Sequence, residues 1–205
     1  MRVGRIQAEE NRQRVIDVAS RQFREHGFDG IGLKTLMERA GLTQGAFYKQ
    51  FASKDDLVVQ ASGRALERAR QRWLDAAETR PDNPLAAVVA FYLGMEHRAA
   101  RMGGCPIVAL GSDAARQGME VKAAFEAGIR DYLEMVGGWM GEADGESSRD
   151  ASRAKVMAMF ATMVGAMVLS RAVNDEQLSE QFLQAAANSV LAASAAHDAN
   201  GQAAK

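Results

Sequence analysis

Few side chains in this 205-residue chain sit where they can do chemistry together. The histidines are His26, His97 and His197, and the single cysteine is Cys105. They are too scattered for metal-ligand spacing, so no metal site and no cofactor is expected. Cys105 with His97 as base is the nucleophile pair available for an enzyme, but no third group or oxyanion donor accompanies them. The informative stretch is 40–57, AGLTQGAFYKQFASKDDL. Gly41 suits the left-handed residue that ends a helix, Leu42 fills the angle, and Thr43 caps the next helix. A helix that enters the DNA major groove by its N-terminal half needs small or polar residues there, and Thr43, Gln44, Gly45 and Ala46 supply them. Phe47 and Phe51, four apart, are expected to face inward against Ile16, Phe23 and Leu36. Tyr48 and Lys49 then point outward, where a phenol and an ammonium reach phosphates or base edges.

Three helices must hold that stretch in place. Ile16, Ala19 and Phe23 repeat at helical spacing over 8–26, and Gly27 stops the run. Leu33, Leu36, Met37 and Ala40 mark a second helix, and 43–51 is the third. Ser53 opens a fourth, over 53–77, with Asp55 and Asp56 at its positive end. Pro81 and Pro84 break the chain, with Asn83 as N-cap. Further helices are expected over 85–101, 106–117, 120–140, 148–173 and 175–196. Gly103 and Gly104 make a turn, 141–148 is a polar loop with Ser147 or Ser148 as cap, and the last residues fray. Nine helices and no strand make the fold class all-α. An N-terminal three-helix domain (1–54) is joined through the fourth helix to a helical C-terminal domain (55–205).

Phe47-Tyr48, then Phe51, Ser53-Lys54 and Leu57, resemble the TetR family of bacterial repressors. That family's pattern is close to G-[VL]-[ST]-x-G-x-[FL]-Y-x-x-F-x-S-K-x-x-L. Residues 16–19 with Phe23 and Gly27-Phe28 are similar to its first helix. The resemblance implies a ligand-responsive regulator that binds palindromic operator DNA as a homodimer and is released by a small-molecule effector. It places Thr43, Tyr48 and Lys54 at phosphates and Gln44, Gly45 and Lys49 facing bases, with Gln50 a weaker candidate. Lys34 falls in another backbone-contacting region. The chain departs from the pattern at Gly32, where the family often has Thr or Ser and gains a hydroxyl contact. Arg2 and Arg5, ahead of the first helix, are candidate groove or phosphate contacts, like other basic arms.

Charge is distributed consistently with such a head. Up to Lys54 there are ten basic and six acidic side chains, a net +4, against −1 for the whole chain; a basic end on an acidic body suits a phosphate partner. The composition, 47% hydrophobic and 25% charged, is that of a soluble globular protein. The start, Met-Arg-Val-Gly-Arg, has no apolar signal segment, and the longest apolar stretch, 156–169, is short for a bilayer. One cysteine fits a reducing compartment, so the location expected is cytoplasmic, without a membrane partner.

In the C-terminal part, Trp73, Phe91, Tyr92, Phe125 and Tyr132 are candidates to line an apolar effector pocket, with Cys105 beside them; Trp139 also has the right character. The same residues serve equally as core. Met159, Met163 and Met167 form a stripe of adaptable side chains. Residues 104–111 resemble the start of the sixth helix in one TetR subgroup. In one branch of the family a cysteine near Cys105 senses electrophiles or oxidants, which needs an accessible, activated thiol. Ala161 and Gly165, four apart, suit close approach of two helices, and with the Ala-rich last helix suggest a four-helix dimer interface. The competing class is a helical enzyme or ligand carrier without DNA binding.

Overall fold

The computed structural model describes residues 2–141 and 146–203. Among these, every regular element is helical, and the chain packs as two compact units. One comprises Met1–Ala69 with Arg101–Gly128, the other Arg70–Ala100 with Ile129–Lys205.

In the first unit, α1 (Arg2–His26) is longer than its apolar repeat. Polar pairs one turn apart extend it toward the N-terminus: Gln7 donates to Glu10, Gln13 donates to Glu9, and Arg12 lies 4.0 Å from Glu9. Arg5 therefore sits on a helix and not on a loose arm; the side chain of Arg2 lies outside the described residues. Helix α2 (Leu33–Arg39) follows, then a 3₁₀ helix (Gln44–Lys49) in place of the expected α-helix over 43–51. Its backbone bonds reach three residues, from Ala46 to Thr43 and from Gln50 to Phe47. A six-residue segment with Gly45 near its start has little intrinsic drive to wind as α.

Between them, Gly41 has φ +72, and the amide of Leu42 bonds the carbonyl of Met37. This closes α2 with the left-handed glycine that the sequence requires. Helix α3 (Lys54–Glu78) starts on a reciprocal cap: Ser53 accepts from the amide of Asp56, whose carboxylate accepts from that of Ala52. Val15, Ile16, Ala19 and Phe23 of α1 share one core with Leu36, Phe47, Phe51 and Leu57. Helix α6 (Pro106–Ala114) and the first turns of α7 (Met119–Met140) join that core through Leu110, Ala114, Val121 and Phe125.

The second unit contains the rest of α3 and α7, with α4 (Pro84–Tyr92), α5 (Met95–Ala99), α8 (Glu146–Ala172) and α9 (Glu176–Ala203). Asn83 caps α4 by accepting from Ala86, and Pro84 takes the first turn, as the sequence predicts. The single helix expected over 85–101 is instead two. Gly94 takes an extended conformation (φ −78, ψ 152) and becomes the N-cap of α5, a break that glycine's poor helix propensity favours. Helix α7 runs through Gly137 and Gly138 without interruption. Helix α8 begins at Glu146, so Ser147 and Ser148 fall inside it and not before it; their side chains, like residues 142–145, lie outside the described residues. Helix α9 continues past the expected end at Ala196.

Two arginines fasten α5 to α8 in a reciprocal pair. Arg98 donates to the carbonyl of Ser170 at 3.0 Å, and Arg171 donates to the carbonyls of Arg98 and His97 at 3.0 and 2.7 Å. Ser179 of α9 shares the Ser170 carbonyl at 2.9 Å. Residues Arg149–Ala172 contain an 18-residue window of mean hydropathy 1.3, long and apolar enough by length and composition to cross a bilayer. This is more than the 156–169 stretch suggests. Val156, Met159, Phe160, Met163 and Met167 of that helix are buried within the unit, while Met157, Val168 and Leu169 are exposed.

Candidate nucleic-acid interface and ligand clefts

Phe47 is fully buried and stacks on Phe51, with ring centroids 5.2 Å apart. Burying these two rings turns the intervening side chains outward: Tyr48 is 69% exposed, and Lys49 is exposed too. Thr43, Gln44 and Gly45 are exposed at the start of the 3₁₀ helix, and Lys34 at the start of α2. Thr43 stands at the N-cap but its hydroxyl makes no capping bond, which leaves it available to a ligand. Gly32, the N-cap of α2, supplies no side-chain cap either.

Lys54 is half-buried and lies 3.8 Å from Asp29, an almost fully exposed carboxylate. Lys34 pairs with Glu38 at 3.9 Å. Exposed pairs of this length contribute little to stability, so a phosphate competes readily for both ammonium groups. Gln50, between Tyr48 and Phe51, has a buried side-chain oxygen without a hydrogen-bond partner.

No residue pattern singles out Arg12, which lies over the Phe51 ring, 5.5 Å from its centroid, and donates to Gln60 at 2.6 Å. Nor does any reveal that Asp17 of α1 holds both Arg64 and Arg68 of α3, at 2.5 and 2.8 Å. These contacts join residues some fifty positions apart, beyond the reach of helical periodicity.

The six candidate ligand residues do not come together as one set. Trp73, Phe91, Tyr92 and Tyr132 belong to the second unit; Cys105 and Phe125 belong to the first. Trp73 lies 5.2 Å from Tyr92 and 4.9 Å from Tyr132, and Tyr132 stacks on Phe160 at 5.7 Å. These rings form a packed cluster. Phe91 is half-buried against His97, and Trp139 is half-buried. Phe125 lies in the core beneath α1, and Cys105, the N-cap of α6, is 4% exposed.

Clefts among the described residues open elsewhere. One of about 680 Å³ runs beside α1 and α3, bordered by Ile6, Gln13 and Arg68. Another, of about 760 Å³, lies between α4 and α9, with Val89, Leu93, Leu183 and Leu191 as apolar lining and Gln181 and Asn188 as polar lining. A third, about 280 Å³, is bordered by Arg130, Arg149 and Arg153 over Leu133 and Val156. The sequence had singled out none of these.

His97 is buried, and its Nδ1 donates to the Tyr92 carbonyl at 2.7 Å. Burial, reinforced by the positive charges of Arg171 and Arg72 and opposed by the Tyr92 bond, lowers its pKa from 6.5 to about 4. The imidazole is therefore neutral at pH 7. Stability from this site is fully present above pH 6.5 and falls as the pH drops toward 4, because the unfolded chain takes up the proton first. The loss across that window is about 3 kcal/mol. Chemical denaturation of wild type and His97→Gln between pH 7 and 4 checks this. The loss attributed to His97 should be absent from His97→Gln; equal slopes in the two proteins would mean that His97 does not carry the effect.

Among the described residues no group of three His, Cys, Asp or Glu is placed to hold a metal ion. The site these elements build is a helix-turn-helix: a short exposed segment after a glycine turn, backed by two helices and continued covalently into a larger helical part. Residues 15–61 match the family described as bacterial regulatory proteins, tetR family, and residues 81–186 match the tetracyclin repressor-like C-terminal domain. The second match alone spans more than half of the chain. The chain belongs to the TetR family.

It is 22% identical over 130 residues to the HTH-type transcriptional repressor NemR of Escherichia coli strain K12. That covers 62% of this chain and 65% of NemR. It is 39% identical over 54 residues to the HTH-type transcriptional regulator AcrR of Shigella flexneri, 26% of this chain and 25% of AcrR. The chain thus matches less than two thirds of the length of these relatives. The crystal structure of reduced Escherichia coli NemR superposes with a TM-score of 0.71 at 19% identity, covering 88% of this chain and 95% of that one. A TetR-family regulator from Cytophaga hutchinsonii gives 0.74 at 17% identity, covering 91% and 96%. At these identities the likeness is one of fold.

Proposed function

We propose that this protein is a cytoplasmic transcriptional regulator, a repressor, that binds palindromic operator DNA as a homodimer and releases it on binding a small-molecule effector. The observation that carries the reading is the exposed row Thr43, Gln44, Gly45, Tyr48 and Lys49 held over the buried Phe47 and Phe51. Thr43, Tyr48, Lys54 and Lys34 are its phosphate contacts, and Gln44, Gly45 and Lys49 face bases. The DNA-reading part is 1–54 and the sensing and dimerising part 55–205. The names of the relatives, a repressor and a regulator, point the same way, and neither suggests enzymatic activity.

Lys54→Ala should weaken binding to every duplex and make the salt dependence shallower by about one unit of log K per log salt, because one phosphate contact is lost. Gln44→Ala should instead relax preference at one base pair. Fluorescence anisotropy over a salt series reads both. An unchanged slope in Lys54→Ala removes Lys54 from the interface.

Dimerisation is assigned to α8 and α9. Met157, Ala161, Gly165, Val168 and Ala172 fall on one face of α8, and Leu178 adds to the exposed apolar side chains of α9. A Cβ at Gly165 would meet no atom within 4 Å, so that surface is open to a second helix. Such a strip also accounts for the apolar character of α8 without a membrane.

The effector reading rests on Trp73, Tyr92 and Tyr132, an aromatic cluster completed on α8 by Phe160; Phe91 borders it through His97. Because these rings are packed together, a ligand must displace part of the cluster, which couples occupancy to a change of conformation. A second reading takes Cys105 as an electrophile or oxidant sensor. Its place at the N-terminus of α6 and the likeness to NemR support it, while its burial means that a reagent reaches the thiol only when that segment opens. Cys105→Ser then abolishes release by thiol-reactive compounds while apo DNA binding is unchanged; release that survives the substitution excludes this trigger.

A further inference from the structure

Helix α6 packs with the DNA-reading helices, within the first unit, and it is fastened there at both ends. Arg24, in the last turns of α1, is buried at 7% exposure. Its Nε donates to the Ser20 carbonyl at 2.9 Å, and its Nη1 donates to the Gly104 carbonyl, also at 2.9 Å. Gly104 immediately precedes Cys105, the N-cap of α6. At the other end, Asp113 accepts from the backbone amide of Phe28 at 3.2 Å and pairs with Arg116 at 2.5 Å.

The second contact needs a glycine. Gly27 has φ +76, and a Cβ there would stand 2.8 Å from the Asp113 carboxylate. Between the two ends, Leu110 and Ala114 share a core with Phe23 and Phe28. Burying a guanidinium is costly unless its donors are met. Lifting the strap 101–105 removes the Gly104 carbonyl from Arg24 and so costs a buried, charge-assisted hydrogen bond.

We propose that Arg24 and Asp113 are the positioning residues of a two-point clasp that makes the strap 101–105 and α6 part of the DNA-reading unit, so that unseating the strap and releasing DNA are one event. The proposal rests on the DNA-binding reading above. Helix α1 is the intermediary. Its Ile16, Ala19 and Phe23 form the bed on which Leu36, Phe47 and Phe51 rest, so loss of the clasp frees α1 to shift beneath the recognition segment. By linkage, whatever factor the seated strap adds to DNA affinity, bound DNA adds to the seating of the strap.

Cys105, the only cysteine, reports on the strap. Buried when the strap is seated, its thiol reacts with a chromogenic aromatic disulfide through the open state. The measurement is the rate of that reaction for wild type, Arg24→Gln, Asp113→Ala and Asp113→Asn. Each is read alone and saturated with a duplex recovered by the wild-type protein from random-sequence DNA. In wild type the duplex should slow the reaction about tenfold. Arg24→Gln and Asp113→Ala should react about tenfold faster than wild type without DNA and lose most of the DNA protection. Asp113→Asn keeps a side-chain acceptor for the Phe28 amide and should behave as wild type.

A purely structural role would speed the reaction but leave the DNA protection factor as it is in wild type. That result, or a wild-type rate in Arg24→Gln, overturns the proposal. If Arg24→Gln does not fold by circular dichroism, Asp113→Ala against Asp113→Asn decides. A protein that recovers no duplex fails the DNA-binding reading on its own terms, and the rates without DNA then judge the clasp.

Discussion

Gly165→Leu is expected to convert the protein to monomers at micromolar concentration and to cost about a thousandfold in affinity for a two-half-site operator. Gly165 lies on the same face of α8 as Ala161 and Val168, with open space where its Cβ would stand. In the isolated chain a leucine fits there without strain, so the fold survives. In the dimer the same side chain occupies the gap through which two helix backbones approach. Once the partners separate, the second half-site is no longer bound at the effective concentration that linkage provides. Losses of 10²–10⁴ are usual, roughly, when a bivalent contact becomes monovalent. Sedimentation equilibrium gives the mass and a gel shift gives the affinity. A dimeric Gly165→Leu with unchanged operator affinity would place the interface elsewhere.

Phe47→Ala carries the largest stability effect, about 3–5 kcal/mol. Its ring has no exposure, stacks on Phe51 and meets Tyr48 edge-on at 5.2 Å. The cavity would open in the core that α1, α2 and the start of α3 share with α6 and α7. Tyr48→Ala is the matched control. Removing a side chain that is 69% exposed should change stability by no more than about 0.5 kcal/mol, while weakening DNA binding. Urea denaturation of both variants separates scaffold from contact. Equal stability losses would mean that the inward and outward assignments of the two rings are wrong.

What was legible in the sequence is what short-range physics decides. Gly41 had to be left-handed to end α2 before Leu42, Ser53 and Asp56 cap α3 across three residues, and Asn83 with Pro84 starts α4. The alternation of Phe47 and Phe51 with Tyr48 and Lys49 likewise fixed which side faces solvent. Boundaries that depend on a balance of weak preferences were less legible. Gly94 could have been absorbed in a long helix, as Gly137 and Gly138 are in α7, yet it divides α4 from α5.

Contacts between distant segments were not legible. Arg24 and Gly104 are 80 residues apart, and Phe28 and Asp113 are 85 apart; no periodicity links them. For the same reason α6, which follows the body helices in sequence, packs with the head. The candidate ligand residues divided accordingly, with Cys105 and Phe125 in one unit and the Trp73 cluster in the other. An aromatic or thiol side chain looks the same in sequence whether it lines a pocket or fills a core.

The most direct test of the central claim is selection of random-sequence duplexes by the wild-type protein, followed by a titration of the enriched sequence. Two inverted half-sites should emerge, their centres about 10 base pairs or a multiple of that apart, bound by two chains with an affinity that falls steeply with salt. Recovery of no sequence preference at all, or of a single half-site bound by one chain, would contradict the account of a dimeric DNA-reading regulator.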